Sequence, residues 1–539
     1  MDKVRYKNIT EYTTALRNGE IPCGVDVEFS RADTGEPYTA RVFNDAIGGL
    51  LKSVYSKGDL EKLASATAGP RSIGVVRKPW GAFIGAASFD SDETAESTNY
   101  DAVWVRDSIW GYLALASDPG GREDAKAVLL TQLDYMASQA KRIDRAIASP
   151  ELLDLPAPDG DMNAAHIRFD SGSEDFADVM SGGEPQMWTH KQNDAIGLLI
   201  GAAVNAHEDG LVRTDDFLAA GTGCDCTRLA AVVRLVAYLN AVKYYVMEDS
   251  GAWEELPRRN TSSIGIVVSA LERLRDTLER DAAFAGAYTD TAKNLGLEAE
   301  TGGNALDGLI AKGYATVRRQ LSLGGESPDY DADDPRYREA DAALLALIWP
   351  ASPRELGVDE KLTMLANVAS LAGPYGVKRY ERDNYQSGNF WWHDIKTDTD
   401  PESHKKREES FIPGTEAEWF FDSWYAKCCL IVAEEMEETG RDAPAESVAS
   451  PDTLRANAVK SLNRAFGQIT GDGMCSADGK PVPPLATPES YNHIVAPGTN
   501  EGGRVAATGE RESWPAPSPI APLNWAKASL TLMLDEFLR

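Results

Sequence analysis

Leu229-Ala230-Ala231-Val232-Val233, within a helix-period segment over 226–247, and Ala342-Ala343-Leu344-Leu345-Ala346-Leu347, within 338–349, decide the fold class. Side chains around a helix return to the same face every 3.6 residues, so an unbroken apolar run covers more than one face. Such helices are buried on several sides. Outward from these two, the helix period recurs over roughly 107–117, 122–146, 191–207, 261–282, 302–320, 359–372, 415–438, 452–468 and 522–538. Loops rich in Gly, Pro, Asp and Ser separate the segments. Asp215, Thr261 or Ser262, and Ser450 or Asp452 are suited to cap helix starts. Strand signals are weak and scattered. The chain therefore reads as all-α, with many helices buried on more than one face. A barrel of an inner and an outer ring of helices buries them that way, and so does a simple bundle.

Residues 1 to about 85 read differently. They hold a short helical start, an extended piece around Gly24–Phe29 and a helix near Asp45–Tyr55. The expected division is an extension over 1–85 packed on a helical domain over 86–539. A charged insert over 393–414 reads as a surface excursion. The stretch 471–521 is too long and too rich in Pro and Gly for an idle connection, which favours a functional loop.

The 539 residues carry 84 Asp and Glu against 54 Lys and Arg, a net charge of −30, with pI ≈ 4.6. That charge argues against a nucleic-acid partner and against an anionic membrane surface. Of the six cysteines, Cys224 and Cys226 are one residue apart and Cys428 and Cys429 are adjacent. Neither pair closes easily on itself, so no disulfide framework is expected. With six histidines and no Cys–His pairing at zinc spacing, neither a metal nor a cofactor is expected. Free thiols and an N-terminus without an apolar run point to a cytoplasmic protein, with a processed secreted form as the alternative.

Five loops carry chemistry-bearing residues. Tyr100-Asp101-Ala102-Val103-Trp104-Val105-Arg106-Asp107 ends where a helix begins; Arg106 and Asp107 offer donors and acceptors side by side, suited to paired sugar hydroxyls or to an ion pair at a helix start. Trp188-Thr189-His190-Lys191-Gln192-Asn193-Asp194 sets an indole beside polar groups, apolar for a sugar's face and polar for its edge. Trp253-Glu254-Glu255 places two carboxyls against an aromatic ring, which penalises the ionised form of a carboxyl and equips it as an acid. Arg379-Tyr380-Glu381-Arg382-Asp383-Asn384-Tyr385 and Gly388-Asn389-Phe390-Trp391-Trp392 are denser in aromatic and charged residues than a passive loop. Pro488-Glu489-Ser490-Tyr491 supplies a further carboxyl. Two carboxyls beside aromatic residues are the minimum equipment for cleaving a glycosidic bond.

Taken in order, these loops resemble glycoside hydrolase family 15, the glucoamylases. The resemblance runs from about residue 80 to the C-terminus. It rests on Tyr100, Trp104 and Arg106-Asp107; on Trp188 with Gln192; on Trp253-Glu254-Glu255; on Arg379-Tyr380, Asp383, Tyr385, Gly388-Asn389 and Trp391; and on Glu489 with Tyr491. It implies an (α/α)6 barrel and an exo-acting, inverting α-glucosidase that releases glucose from the non-reducing ends of short α-glucans: malto- or isomalto-oligosaccharides, or trehalose. It further implies Glu254 as general acid and Glu489 as general base. Arg106 and Asp107 would grip the terminal sugar, and Trp104, Trp188 and Trp391 would line the pocket. Tyr100 would stand near the base, Glu255 and Arg379 would contact sugar near the cleavage point, and Gln192 and Trp253 would complete the binding set. The Trp188–Asp194 segment is also similar to the barrel domain of phosphorylase kinase regulatory subunits, which implies a sugar-sensing protein as the alternative. The chain departs from the family in lacking room for an N-terminal β-sandwich, in having no starch-binding module, and in its insert after Trp392.

Overall fold

The computed structural model describes residues 27–30, 37–40, 44–87, 100, 102–388, 390–392, 399, 401–440, 450–472, 474, 476–477, 482–495 and 513–539. Of the sequence segments above, Gly24–Asp26, Asp101, Asn389, 393–398 and 496–512 lie outside the described residues.

The helices that build the body are α1 (Lys57–Ala66), α2 (Val105–Ser117), α3 (Arg122–Ser138), α4 (Asn193–Glu208), α5 (Arg228–Ala241), α6 (Thr261–Arg280), α7 (Gly303–Leu323), α8 (Val358–Ser370), α9 (Pro401–Ser410), α10 (Asp422–Glu438), α11 (Pro451–Gly467) and α12 (Asn524–Leu538). Between α7 and α8 lies a 3-10 turn, Ala342–Leu347. Contacts close a ring: α2 touches α4, α4 touches α6, α6 touches the 3-10 turn, the turn touches α10, α10 touches α12, and α12 returns to α2. Outside this ring, α3 lies on α2, α5 on α4, α7 on α6, α8 on the 3-10 turn, α11 on α10, and α1 on α12. The all-α barrel of two rings is thus the observed architecture. Inner helices α4 and α6 are buried over most of their length; α4 is apolar nearly all round, and α6 is so over Ile264–Leu271 before its charged last turns.

Close approach in the inner ring needs small residues. A methyl group at Gly265 of α6 would overlap the side chain of Leu347. Along the axis, Trp110 of α2 is 2 % exposed. It meets Trp349, Trp424 and Trp525 at centroid distances of 5.4, 4.9 and 5.4 Å. Trp525 belongs to the pocket described below, so this indole cluster is the floor beneath it.

Two segments depart from their expected form. The apolar run at 338–349 makes only the 3-10 turn, because Pro350 lacks the N–H that a continuing helix requires. The segment 415–438 becomes helical only from Asp422, since Glu418–Trp419 is a strand, β1. β1 pairs with β2 (Ser490–Val495), and β2 with β3 (Ser513–Pro517). The register Ser490↔Trp419 ties the Glu489 loop to the start of α10. Of the N-terminal elements, Val27–Ser30 pairs with Pro37–Ala40, and helix near 45–55 is confined to Asp45–Gly48.

Candidate active site

The chain direction decides where the chemistry gathers. In sequence order, α9 aside, outer and inner elements alternate from α1 to α12, each returning along the last, so the inner helices run parallel. Their N-termini meet at one end, around a pocket of about 770 Å³ including its mouth. Tyr100, Trp104, Arg106, Asp107, Trp188, Trp253, Glu254, Glu255, Arg379 and Glu489 all line it. The converging N-termini present unpaired N–H groups and positive dipole ends, an environment that favours carboxylates.

Glu254 sits in the turn between α5 and α6. Asp249 and Arg258 pair their backbones at the base of this turn, with N–H to O distances of 2.9 Å both ways. The Asn193 N–H at the start of α4 donates to Asp249 Oδ2 at 2.9 Å. Gly251 and Glu254 both have left-handed backbone, φ 58° and 57°. Glycine adopts this freely; for a glutamate it is a strained conformation that surrounding contacts must hold. Those contacts are present: Arg106 Nη1 donates to Glu254 Oε1 at 3.2 Å, and Trp188 Nε1 donates to Oε2 at 2.7 Å. Arg106 is itself fixed, with Nε donating to Asp194 Oδ2 at 2.7 Å and Nη2 to Gly251 O at 3.1 Å and to Gln192 Oε1. Gln192 therefore does not line the pocket; it orients Arg106 from behind.

Asp107 is buried, and its side chain makes no hydrogen bond to another described residue. Burial raises its carboxyl to about 7, Arg106 opposing and Glu254 adding to the rise. Trp188 is stacked under the Arg168 guanidinium, whose carbon lies 3.5 Å from the ring centroid.

Glu255 is held by cations. Arg258 Nη2 donates to Oε2 at 2.8 Å, Arg379 Nη2 to Oε1 at 2.8 Å, and the Tyr380 hydroxyl to Oε1 at 2.6 Å. Burial pushes its carboxyl up, but Arg379, Arg258 and Arg338 together hold it well below the usual range. Arg379 also donates from Nε and Nη2 to Asp383, both at 2.6 Å. Trp253 Nε1 donates to Asp341 Oδ1 at 2.8 Å, which fixes its ring on Phe421.

Glu489 precedes β2 on the other side. The Tyr100 hydroxyl donates to Oε1 at 2.8 Å, and Gln386 Nε2 donates to Oε2. Burial raises this carboxyl to about 7 against those two hydrogen bonds and Arg379. Trp391 does not line the pocket; its indole Nε1 donates to Asn492 Oδ1 at 3.1 Å, behind Glu489.

Trp419, Phe420, Trp525, Tyr385, Thr399 and Arg407 line the pocket as well. Thr399 and Arg407 correct the reading of the 393–414 insert as a surface excursion: α9 lays the 4 %-exposed Arg407 into the wall. Local sequence gave no sign of this, because α9 is polar throughout. Among the described residues no cluster of His, Cys, Asp and Glu could hold a metal ion. Two separately held carboxyls in an aromatic pocket can divide proton donation from water activation.

No protein-family model matches the chain. The uncharacterized lipoprotein YgeQ of Escherichia coli (strain K12) is 46% identical over 203 residues, which are 37% of this chain and 74% of that protein. The chain belongs to the YgeQ family. That relative is a lipoprotein by name, and this overturns the expectation of a cytoplasmic protein. Free thiols misled: Cys428 and Cys429 are buried in α10, where no partner could reach them in any compartment. A lipid anchor also needs no membrane-crossing helix, and no described helix is long and apolar enough to be one. In fold, the YgeQ-family chain is similar to the glucoamylase of Saccharomycopsis fibuligera, with TM-score 0.51 and 15% identity over 90% of this chain and 97% of that one. It is similar also to the family 15 glucoamylase of Hypocrea jecorina, with TM-score 0.50 and 14% identity over 89% of this chain and 72% of that one. At these identities the likeness is one of fold.

Proposed function

We propose that this chain is an exo-acting, inverting α-glucosidase that removes glucose from the non-reducing ends of short α-glucans. The observation that carries the reading is the single pocket that unites Glu254, Glu489, Asp107 and the indoles of Trp104 and Trp188. Glu254 is the general acid, aimed by Arg106 and Trp188. Glu489 is the general base that takes a proton from the attacking water, and only its ionised form can do so. The water attacks from the face opposite the leaving oxygen, which inverts the anomeric centre. Asp107 accepts hydroxyls of the terminal sugar, and the indoles cover its face. Glu255 acts through Arg379, which it holds at the wall. The boundary expected at 85 moves forward to Lys57, since α1 is the sixth outer helix of the barrel. The lipoprotein character of YgeQ carries over as an anchor that keeps this barrel at a membrane surface.

The test is a panel of maltose, isomaltose, trehalose and longer malto-oligosaccharides, followed by anomer-resolved proton NMR, with Glu489→Gln as control. The expected product is β-glucose from at least one substrate. The leaving unit keeps its own anomer, so only α-glucose freed initially from the cleaved non-reducing residue, or no glucose from any substrate, would sink the reading.

A further inference from the structure

Gln386 is fully buried, with left-handed backbone at φ 59°, and it touches Glu489 from the side opposite Tyr100. An amide can present either its N–H or its oxygen to a carboxylate, and only the first is favourable. Which one Glu489 meets is decided three residues away. The indole of Trp391 can only donate, so Asn492 must turn Oδ1 toward it. Asn492 then turns Nδ2 the other way, donating to Gln386 O at 3.0 Å and to Ser490 Oγ at 3.2 Å. Ser490 Oγ donates to Gln386 Oε1 at 2.7 Å. With its oxygen occupied, Gln386 can offer only Nε2 to Glu489.

We propose that Trp391, Asn492 and Ser490 form a one-way hydrogen-bond relay that makes Gln386 the positioning residue of Glu489. The chemical importance of the relay rests on the reading of Glu489 as the base. Every link runs in one direction, from the indole, which can only donate, to the carboxylate, which when ionised can only accept. The relay gives Trp391 a role that its place outside the pocket would otherwise deny it. It also opposes burial: with Nε2 fixed toward Oε2, a protonated Glu489 finds no acceptor on that side. The other groups that face Glu489 are the Tyr100 hydroxyl, Tyr385 behind it, Arg379 and Asp107. Of these, Arg379 also favours the ionised form and Asp107 opposes it.

The experiment measures the titration of Glu489 directly, as the pH-dependent infrared carboxyl band that disappears in Glu489→Gln. In Gln386→Met, which keeps the length and removes the amide, the midpoint should rise by about one pH unit, a tenfold loss of preference for the ionised form. Trp391→Phe should raise it in the same direction by about half as much, since the freed amides can then turn. Ser490→Ala serves as a third variant should Gln386→Met fail to fold: it deletes the donor to Gln386 Oε1 and adds no charge. A merely structural role would lower thermal stability and leave the midpoint where it was. Unmoved or lowered midpoints in the folded variants would overturn the proposal. The acidic limb of kcat/KM should move with the band. Shifted bands in a protein that cleaves no glycoside would remove the proposed activity and leave the relay standing.

Discussion

Glu255 and Glu489 line the same pocket, and both are almost wholly buried, yet they are compensated in opposite ways. Around Glu255 stand Arg258, Arg338 and Arg379; around Glu489 stand a phenol and an amide. Burial pushes both carboxyls up. Formal positive charge reverses that push at Glu255, and neutral donors only moderate it at Glu489. One side of the pocket therefore has a charge state fixed at any moderate pH. The other has a carboxyl whose proton can come and go, which is what a proton-transferring group requires. On the proposed reading the difference separates a scaffold glutamate from one poised for chemistry, a distinction their shared burial hides.

Four substitutions can break or sharpen that contrast. The largest effect is expected from Glu489→Gln, which should lower kcat by about a thousandfold or more while sugar binding persists. Steady-state kinetics with calorimetric binding checks it, and near-normal turnover would return the base role to another acid. Glu255→Gln comes next. It leaves the buried guanidiniums of Arg258 and Arg379 short of an anion, and loss of one partner of a buried ion pair costs about 3–5 kcal/mol. Denaturant unfolding should show this, and an unchanged midpoint would mean that the arginines do not depend on Glu255. Asp107→Ala should cost about tenfold to a hundredfold in kcat/KM through lost hydroxyl contacts. Equal cleavage of oligosaccharides blocked and unblocked at the non-reducing end would show that Asp107 guards no chain end.

The smallest effect is a shift along the pH axis. Glu489 must be ionised to act, and its carboxyl is raised to about 7, so kcat/KM should fall as pH drops through about 7. Tyr100→Phe removes a hydrogen bond that favours the ionised form, so this limb should move to higher pH, by less than one unit. A shift to lower pH would reverse the picture. Stability has its own sign. A carboxyl raised by folding binds its proton more tightly in the native state, so its contribution is lost as pH rises from about 4.5 to 7. Thermal unfolding of Glu489→Gln should therefore gain on the parent at pH 8 more than at pH 5.

How much of this was legible in the sequence differs from residue to residue. The all-α class was, because runs such as Leu229–Val233 admit no solvated face; the barrel, as against a bundle, followed only from the resemblance that the loops carry. Most loop carboxyls and indoles were legible too, since they stand shortly before an inner helix where polar and aromatic residues break the apolar period; Glu489, which precedes β2, was legible only through the resemblance. Gln386 was not: nothing within its own loop tells that Ser490 and Asn492 will occupy its oxygen, a contact more than a hundred positions away in the chain. Trp419 and Phe420 read as the start of a helix, because pairing with β2 is a long-range event that local propensity cannot register. Arg407 belongs to a polar helix whose single buried guanidinium resembles its exposed neighbours in every local respect.

The ring of parallel inner helices has a consequence for how such a molecule can change. Each stretch that enters the rim leaves from one outer helix and arrives at one inner helix, so it can be lengthened or exchanged with both of its anchor points kept. The segment that carries α9 between α8 and α10 is one such exchangeable connector, and it already supplies Thr399 and Arg407 to the mouth. On the proposed reading, grafting connectors of other lengths at that junction would retune which substrates enter the mouth, while the packing at the opposite end of the barrel stayed as it is.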